Sequence, residues 1–280
     1  MREVTCSRIS QAVATLAIEC NLYLPDDVTQ LIRKSLESED DELSRSILED
    51  ILQNHRIAAQ QGMALCQDTG VAVVFLEVGQ EVHISGGFLY DAVNAGVARG
   101  YTEGYLRKSM VRHPWQRVNS GDNTPAIIHV DIVPGDQLKI TMMPKGGGAE
   151  NYAGLAMLTP AQGLEGAKQF AVDCVKKAGP NACPPVVVGV GIGGNFESAP
   201  MLAKRALCRP LGQPNASKEV AQVEADLLRE INQLGIGPQG LGGKTTALSV
   251  SVEIAPCHIA SFPVAVNLNC HVARCKSIVL

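Results

Sequence analysis

Apolar residues recur at helical spacing through the first sixty positions, and residues 1–62 read as a helical region. Val28, Leu31, Ile32 and Leu36 form one stripe behind Pro25-Asp26-Asp27, a favourable helix start. Leu43, Ile47, Leu48, Ile51 and Leu52 form a second stripe. The acidic run at 37–42 between them reads as a solvated connection. The period then changes. Residues 71–78 are a β-rich run, and 88–109 return to a helical pattern. Alternation over 126–133 and 137–143 predicts a hairpin turning at Pro134-Gly135. A helix over 163–178 leads to Cys183, and a β-branched run ending in glycines follows it. Helical stretches at 200–207 and 218–233 precede a strand over 247–254.

This succession predicts an α/β fold with mixed β-sheets flanked by helices and a helical N-terminal region. There is no internal repeat, low-complexity segment or interdomain linker. The expectation is one domain over 1–280, with 63–280 carrying the chemistry.

Composition narrows the function classes. Hydrophobic residues make up 46% and charged residues 19% of the 280, as expected of a globular chain. A net charge of −4 and 4% aromatic residues give neither a basic footprint nor stacking platforms for nucleic acid. No apolar run reaches the roughly 18 residues needed to span a bilayer, and the N-terminus lacks a signal-peptide core. The chain reads as cytoplasmic, with no membrane partner. Its nine cysteines are odd in number and scattered, which does not describe a disulfide framework.

Two glycine-rich stretches invite nucleotide readings. Gly189-x-Gly191-x-x-Gly194 fits the spacing of a dinucleotide fingerprint, which would make the chain a nucleotide-binding oxidoreductase. That fold needs a second strand soon after the helix, and helical segments arrive instead. The stretch then reads as a strand-to-helix turn near Cys183. Gly240-Leu241-Gly242-Gly243-Lys244-Thr245-Thr246 suggests a P-loop, but Pro238 stands where the first glycine belongs. The run Lys145-Gly146-Gly147-Gly148 reads either as a site where backbone amides approach an anion, with Lys145 adding charge, or as a flexible turn.

Three cysteines stand apart from the rest. Cys66, Cys183 and Cys270 each lie beside turn or strand-end residues rather than in an amphipathic stripe. Cys6, Cys20, Cys174 and Cys208 read as packing residues. Soft thiolates converging on one point would suit zinc or an iron–sulfur cluster, and the paired CxxC knuckles of structural zinc are missing. Spacing by itself leaves Cys257 and Cys275 open as alternatives to Cys270.

Five segments occur in an order that resembles one family. They are Cys66-Gln67-Asp68-Thr69-Gly70, Lys145-Gly146-Gly147-Gly148, Cys183-Pro184-Pro185, the 240–246 stretch, and His258 followed twelve residues later by Cys270. Together they resemble the α-subunit of the two-subunit class I, iron–sulfur fumarate hydratases and their relatives, the L-tartrate dehydratases. The resemblance covers essentially the whole chain. It implies a hydro-lyase that hydrates fumarate to L-malate, with dehydration of L-tartrate to oxaloacetate as the alternative and a non-catalytic iron–sulfur scaffold as a third reading.

The same resemblance implies a [4Fe–4S] cluster on Cys66, Cys183 and Cys270, with one iron free of protein thiolate to act as Lewis acid. It places Gln67 and Asp68 against a small dicarboxylate, with Asp68 as proton donor to the departing hydroxide. An Asx-turn cap is the other reading of Asp68. It makes Arg107 a carboxylate clamp, with Lys108 and Arg112 as close competitors, and it gives the Gly148 amide and His258 substrate-binding roles. It also implies a separate β-subunit, in an α2β2 assembly, that carries the base.

Overall fold

The computed structural model describes residues 2–280. The first elements are β1 (Arg2–Thr5), α1 (Cys6–Leu22), α2 (Asp26–Ser38), α3 (Glu42–Gln61), β2 (Val71–Gly79), β3 (Val82–Ser85) and α4 (Leu89–Glu103). Next come β4 (Ile127–Val133), β5 (Leu138–Lys145), the single turn α5 (Gly147–Glu150), β6 (Gly154–Leu158) and α6 (Gly163–Ala178). The last are β7 (Val186–Gly194), α7 (Ser198–Ala206), α8 (Lys218–Asn232), β8 (Ala247–Cys257), β9 (Phe262–Asn269) and β10 (Lys276–Val279). Both four-stranded sheets mix parallel and antiparallel pairs, so the architecture is the α/β class that the pattern predicts. Contacts divide the chain into two compact units. One comprises the chain up to Pro25, His55–Gly147 and Arg274–Leu280; the other comprises Asp26–Asn54 and Gly148–Ala273.

The sheet of the first unit has the order β10-β5-β2-β4. Strand β2 is apolar on both faces, so it is most stable at the centre. Val74, Leu76 and Val78 pack with Ile9, Val13 and Leu16 of α1 and with Val93 and Val97 of α4. This placement overturns the expected hairpin. Strands β4 and β5 do not pair with each other; β2 lies between them, parallel to β4 and antiparallel to β5. The Pro134-Gly135 connection passes across the end of β2, where the Gly79 amide donates to Gln137 O at 2.8 Å and the Gln80 amide to Val133 O at 2.8 Å. Two other expectations change locally. Residues 2–5 are extended, because β1 pairs in parallel with β3, and Thr5 then caps α1. Helix α4 ends at Glu103 rather than reaching 109, since Gly104 caps it and Tyr105 turns to φ 51°.

In the second unit the order is β6-β9-β7-β8. Strand β7 alternates in a way that sets its neighbours. Val186, Val188, Val190 and Ile192 face the core built with α6 and α8. Gly189 and Gly191 point the other way and leave a flat surface for α7. A Cβ on Gly189 would lie 2.2 Å from Ala203 O, and one on Gly191 would lie 2.3 Å from Ala199 O. Helix α7 answers with its own small residues, Ala199, Ala203 and Ala206, all buried. The GxGxxG spacing is therefore a packing pattern inside a strand, not a phosphate-binding turn.

The acidic connection at 37–42 is not simply solvated. Glu39 is buried and accepts the amides of Asp40, Asp41 and Lys244. The Lys244 ammonium reaches Asp40 and the Ser38 carbonyl, so the lysine of the P-loop-like stretch is held by carboxylates and a carbonyl.

Packing at β7 makes its glycines sensitive to any added carbon. Gly191→Ala is expected to destabilise the protein by about 1–3 kcal/mol through overpacking, read from the urea midpoint. His55, buried within α3, has its imidazole pushed down from 6.5 to about 4 by burial. The folded state thus prefers the neutral ring while the unfolded chain binds a proton near pH 6.5. Stability is complete above about pH 6.5 and falls as the pH drops towards 4, by at most about 1.4 kcal/mol per unit. In a urea titration repeated across that window, His55→Gln is expected to remove this slope.

Candidate active site

In the first unit the chemistry centres on the turn between α3 and β2. Cys66 is half-buried; its sulfur accepts the Asp68 amide at 3.4 Å and lies 3.4 Å from Gln67 Oε1. Both carboxylate oxygens of Asp68 are engaged. Oδ1 accepts the Gly70 amide at 3.0 Å, which is the Asx turn, and Oδ2 accepts the Gly147 amide at 2.8 Å. Each oxygen keeps a further lone pair for a ligand. Gly70 has φ +71°, and a Cβ there would meet the Lys145 backbone at 2.7 Å, so only glycine fits. Lys145 itself is buried at the end of β5 rather than standing open beside the triple glycine.

Four residues that the sequence does not single out hold this turn. The fully buried Tyr101 hydroxyl lies 2.8 Å from Thr69 O and 3.0 Å from Gly70 O, and burial pushes its phenol well above the usual range. Asn123 donates to Gly70 O at 3.1 Å and accepts the amides of Ser109 at 2.7 Å and Met110 at 3.1 Å. Arg274 spans from Asn21 Oδ1, at 2.9 Å, to the Asp68 carbonyl. Asn21 in turn accepts the Leu65 amide through its own carbonyl at 2.8 Å. Thr69 Oγ1 donates to the Arg107 carbonyl at 2.8 Å, which fixes the backbone of exposed Arg107 against the cysteine turn. The Lys108 carbonyl accepts from Asn119 Nδ2 at 2.9 Å.

The second unit brings two of the predicted cysteines to one end of a sheet. Strands β7 and β9 run antiparallel with Val187 opposite Asn269, so Cys183 before β7 and Cys270 after β9 share that end. The His271 amide donates to Cys183 O at 3.3 Å. Cys183 is exposed and sits in the left-handed region, φ 50° and ψ 65°. Gln239 fastens the next residue, with its amide and Nε2 both donating to Pro184 O at 2.8 and 3.0 Å. Gly148 adjoins the same turn: a Cβ on it would lie 3.3 Å from Asn181 O.

The register separates the competing residues. Cys257 pairs with Gly194 at the other end of β7, seven residues beyond Val187, or roughly 23 Å along the strand. His258 follows Cys257 in the exposed turn into β9. Within this unit His258 therefore lies at the opposite sheet end from Cys183 and Cys270. Gly193 and Gly194 also lie at that far end, so the glycine turn is not near Cys183. An apolar cavity of about 310 Å³, lined by Ile192, Val223, Ile254 and Phe262, opens there beside Cys257.

Burial also sorts the thiols. Cys174 is pushed up to about 11 and Cys20 higher still, in both cases mainly by burial, so both remain protonated packing residues at neutral pH. Among the described residues no three His, Cys, Asp or Glu side chains form a ready-made metal group. No helix among them is long and apolar enough to cross a membrane.

Comparison with known proteins defines the class first: the matches are to lyases that add or remove water. The profile described as "Fumarate hydratase (Fumerase)" matches residues 10–279, and the chain belongs to that family. It is similar to the "Putative L(+)-tartrate dehydratase subunit alpha" of Methanocaldococcus jannaschii, at 41% identity covering 95% of each chain. It is also similar to the "L(+)-tartrate dehydratase subunit alpha" of Escherichia coli strain UTI89, at 31% identity over 98% of this chain and 91% of that protein. The protein of the same name from Escherichia coli strain K12 is 30% identical over the same shares.

Asn123 is the residue on which the cysteine turn and the Arg107 segment both depend. Asn123→Ala leaves two amides and a carbonyl without their partner and is expected to cost about 1–3 kcal/mol. Hydrogen exchange at the Ser109 and Met110 amides should quicken in the same variant. Unchanged exchange at both would show that the segment is held by something else.

Proposed function

We propose that this chain is the α-subunit of an iron–sulfur hydro-lyase that removes water from a small 2-hydroxydicarboxylate. The observation that carries this reading is the register of β7 with β9, which sets the Cys183 and Cys270 loops at one sheet end, in a chain of the fumarate hydratase family. The donor set suits a soft metal group. Cys183 is exposed on a loop pinned by Gln239, and the Cys66 sulfur already accepts a backbone amide, as cluster thiolates do. Cys66, Cys183 and Cys270 would hold a [4Fe–4S] cluster. When bound, that group supplies a Lewis-acidic iron that withdraws charge from the substrate's carboxylate and hydroxyl.

The chain's own residues bind and orient. Arg107, with its backbone anchored by Thr69, offers a planar guanidinium to a carboxylate, which it can grip through two parallel hydrogen bonds. Gln67 is exposed beside Cys66 and can donate through its amide, and the Gly148 backbone N–H is a further donor. Asp68 is held by the Gly70 and Gly147 amides in one orientation, and a proton on its carboxyl would pass to the departing hydroxide, which leaves as water. The base that takes the C3 proton is assigned to a β-subunit. The relatives' names, each a "subunit alpha", support that division.

L-tartrate is the first substrate on this reading, because the relatives named above are tartrate dehydratase subunits. Loss of water from tartrate gives an enol that tautomerises to oxaloacetate. L-malate, giving fumarate, is the second, supported by the family's own description. The test is anaerobic co-expression with the β-subunit, assayed on both substrates side by side. Cys66→Ser, Cys183→Ser and Cys270→Ser are each expected to lose iron and activity together, while Cys174→Ser and Cys257→Ser keep both. Arg107→Lys should retain iron but lower kcat/KM by about 1.5–3 kcal/mol. The chain without β-subunit should not turn over either substrate. Iron retained in Cys270→Ser and lost in Cys257→Ser would overturn the ligand assignment.

A further inference from the structure

Gly148 has to keep one position although glycine is the least constrained residue a chain can use. It is exposed, and a Cβ on it would lie 3.3 Å from Asn181 O, in the turn that precedes Cys183. Its amide serves a carboxylate only while that position is kept. Glycine has no side chain to fix it, so the restraint must come from its neighbours. Two residues on, the chain supplies one. Ala149 is buried, and Glu150 sends its carboxylate to two separate elements. Oε1 pairs with the Lys204 ammonium of α7, and Oε2 accepts Asn267 Nδ2 of β9 at 2.9 Å.

These three side chains form a polar island on an apolar face. Val264, Val266 and Leu268 of β9 face the core built with α6 and α8, whereas Ala265 packs on Ala199 and Ala203 of α7. Alternation therefore puts Asn267 on the α7 side, opposite Gly189 of β7, where it is buried. An ion pair in such a place adds little stability, because lost hydration offsets the attraction. What it supplies is position. A carboxylate bonded from two directions cannot turn freely, and its charge strengthens both bonds. Asn267 precedes Cys270 by three residues, roughly 10 Å along the strand. The island thus ties the Gly148 turn to the strand that ends at Cys270, while Gly148 itself abuts the turn that leads to Cys183.

We propose that Glu150, held by Lys204 and Asn267, is a positioning residue that fixes the Gly148 amide for a substrate carboxylate. Glu150 touches no substrate in this role. The inference rests on the substrate-binding role given to Gly148 in the function proposed above. A glutamine at 150 would keep the arrangement. Its Oε1 can accept from Lys204. Its Nε2 can donate to Asn267 Oδ1, which is buried without a partner, once that amide turns over. Alanine removes both bonds.

The test has two arms. The first follows amide exchange by NMR in the full 280-residue chain, free of metal and substrate. The Tyr152 amide donates to Ala149 O at 3.3 Å and the Ala153 amide to Glu150 O at 3.0 Å. Glu150→Ala should speed exchange at both about tenfold or more and leave the amides of β7 and β9 protected. Asn267→Leu, which keeps the volume and removes the donor, should act in the same direction, and Glu150→Gln should restore slow exchange. The second arm uses the chain co-expressed anaerobically with the β-subunit. For whichever of L-tartrate and L-malate is turned over, Glu150→Ala should raise KM about tenfold while kcat and iron content hold. Glu150→Gln should bring KM back towards its starting value. A merely structural loss would lower kcat through the fraction of active enzyme and leave KM unmoved. Unchanged exchange at Tyr152 and Ala153 in Glu150→Ala would overturn the proposal. So would faster exchange with KM unmoved, or a glutamine variant as impaired as the alanine one. An unsubstituted enzyme that turns over neither substrate overturns the hydro-lyase reading instead, and the exchange arm then judges by itself whether Glu150 holds the turn.

Discussion

Strand β7 is the constraint on which the second unit rests. It is paired on both edges, packed on both faces, and built so that each face meets a different demand. Valines and Ile192 on one side supply the apolar area that drives folding. Glycines on the other let α7 lie against the backbone itself, closer than any side chain would allow. Because every edge and face is occupied, the register with β9 cannot slip without exposing the valine face. The position of Cys183 relative to Cys270 is therefore decided by packing far from either thiol.

A different device serves Cys66. Its turn has little apolar area of its own, so polar groups hold it from several directions. Tyr101 from α4, Asn123 from a distant turn, Arg274 from the last segment and Asn21 from α1 all engage its backbone or that of its immediate neighbours. Hydrogen bonds to backbone carbonyls shape a loop without using up its side chains. Gln67 is consequently left exposed beside the half-buried Cys66. Buried networks of this kind are costly when incomplete, which is why such turns are defined so narrowly.

Family membership and local geometry support one another without being interchangeable. The chain belongs to the fumarate hydratase family, and the relatives at 30–41% identity are named for tartrate. Fumarate, malate and tartrate chemistry share the same demands: a gripped carboxylate, an activated hydroxyl and a placed proton. In the proposed function Arg107 and Asp68 would meet the first and third of these in the same way for either substrate. The difference between malate and tartrate is one hydroxyl on C3, so discrimination depends on what surrounds that carbon. That surrounding is attributed to the β-subunit.

The sequence by itself determined the helices α6 and α8, the strands β2 and β8, and the α/β class, because periodicity reports which face of a local segment avoids water. It also marked Cys66, Cys183 and Cys270, since a thiol beside glycine, proline or a strand end breaks that periodicity. Tertiary structure decided the rest. The alternation at 126–143 fits a hairpin equally well, and only the need to bury both faces of β2 places that strand between β4 and β5. Asn123 looks like one more turn residue, and Tyr101 and Arg274 like core and surface, until the chain brings them to the same carbonyls. The separation of Cys257 and His258 from the sheet end that carries Cys183 and Cys270 follows from strand register. Register is a relation between segments distant along the chain, and no local pattern of polar and apolar residues encodes it.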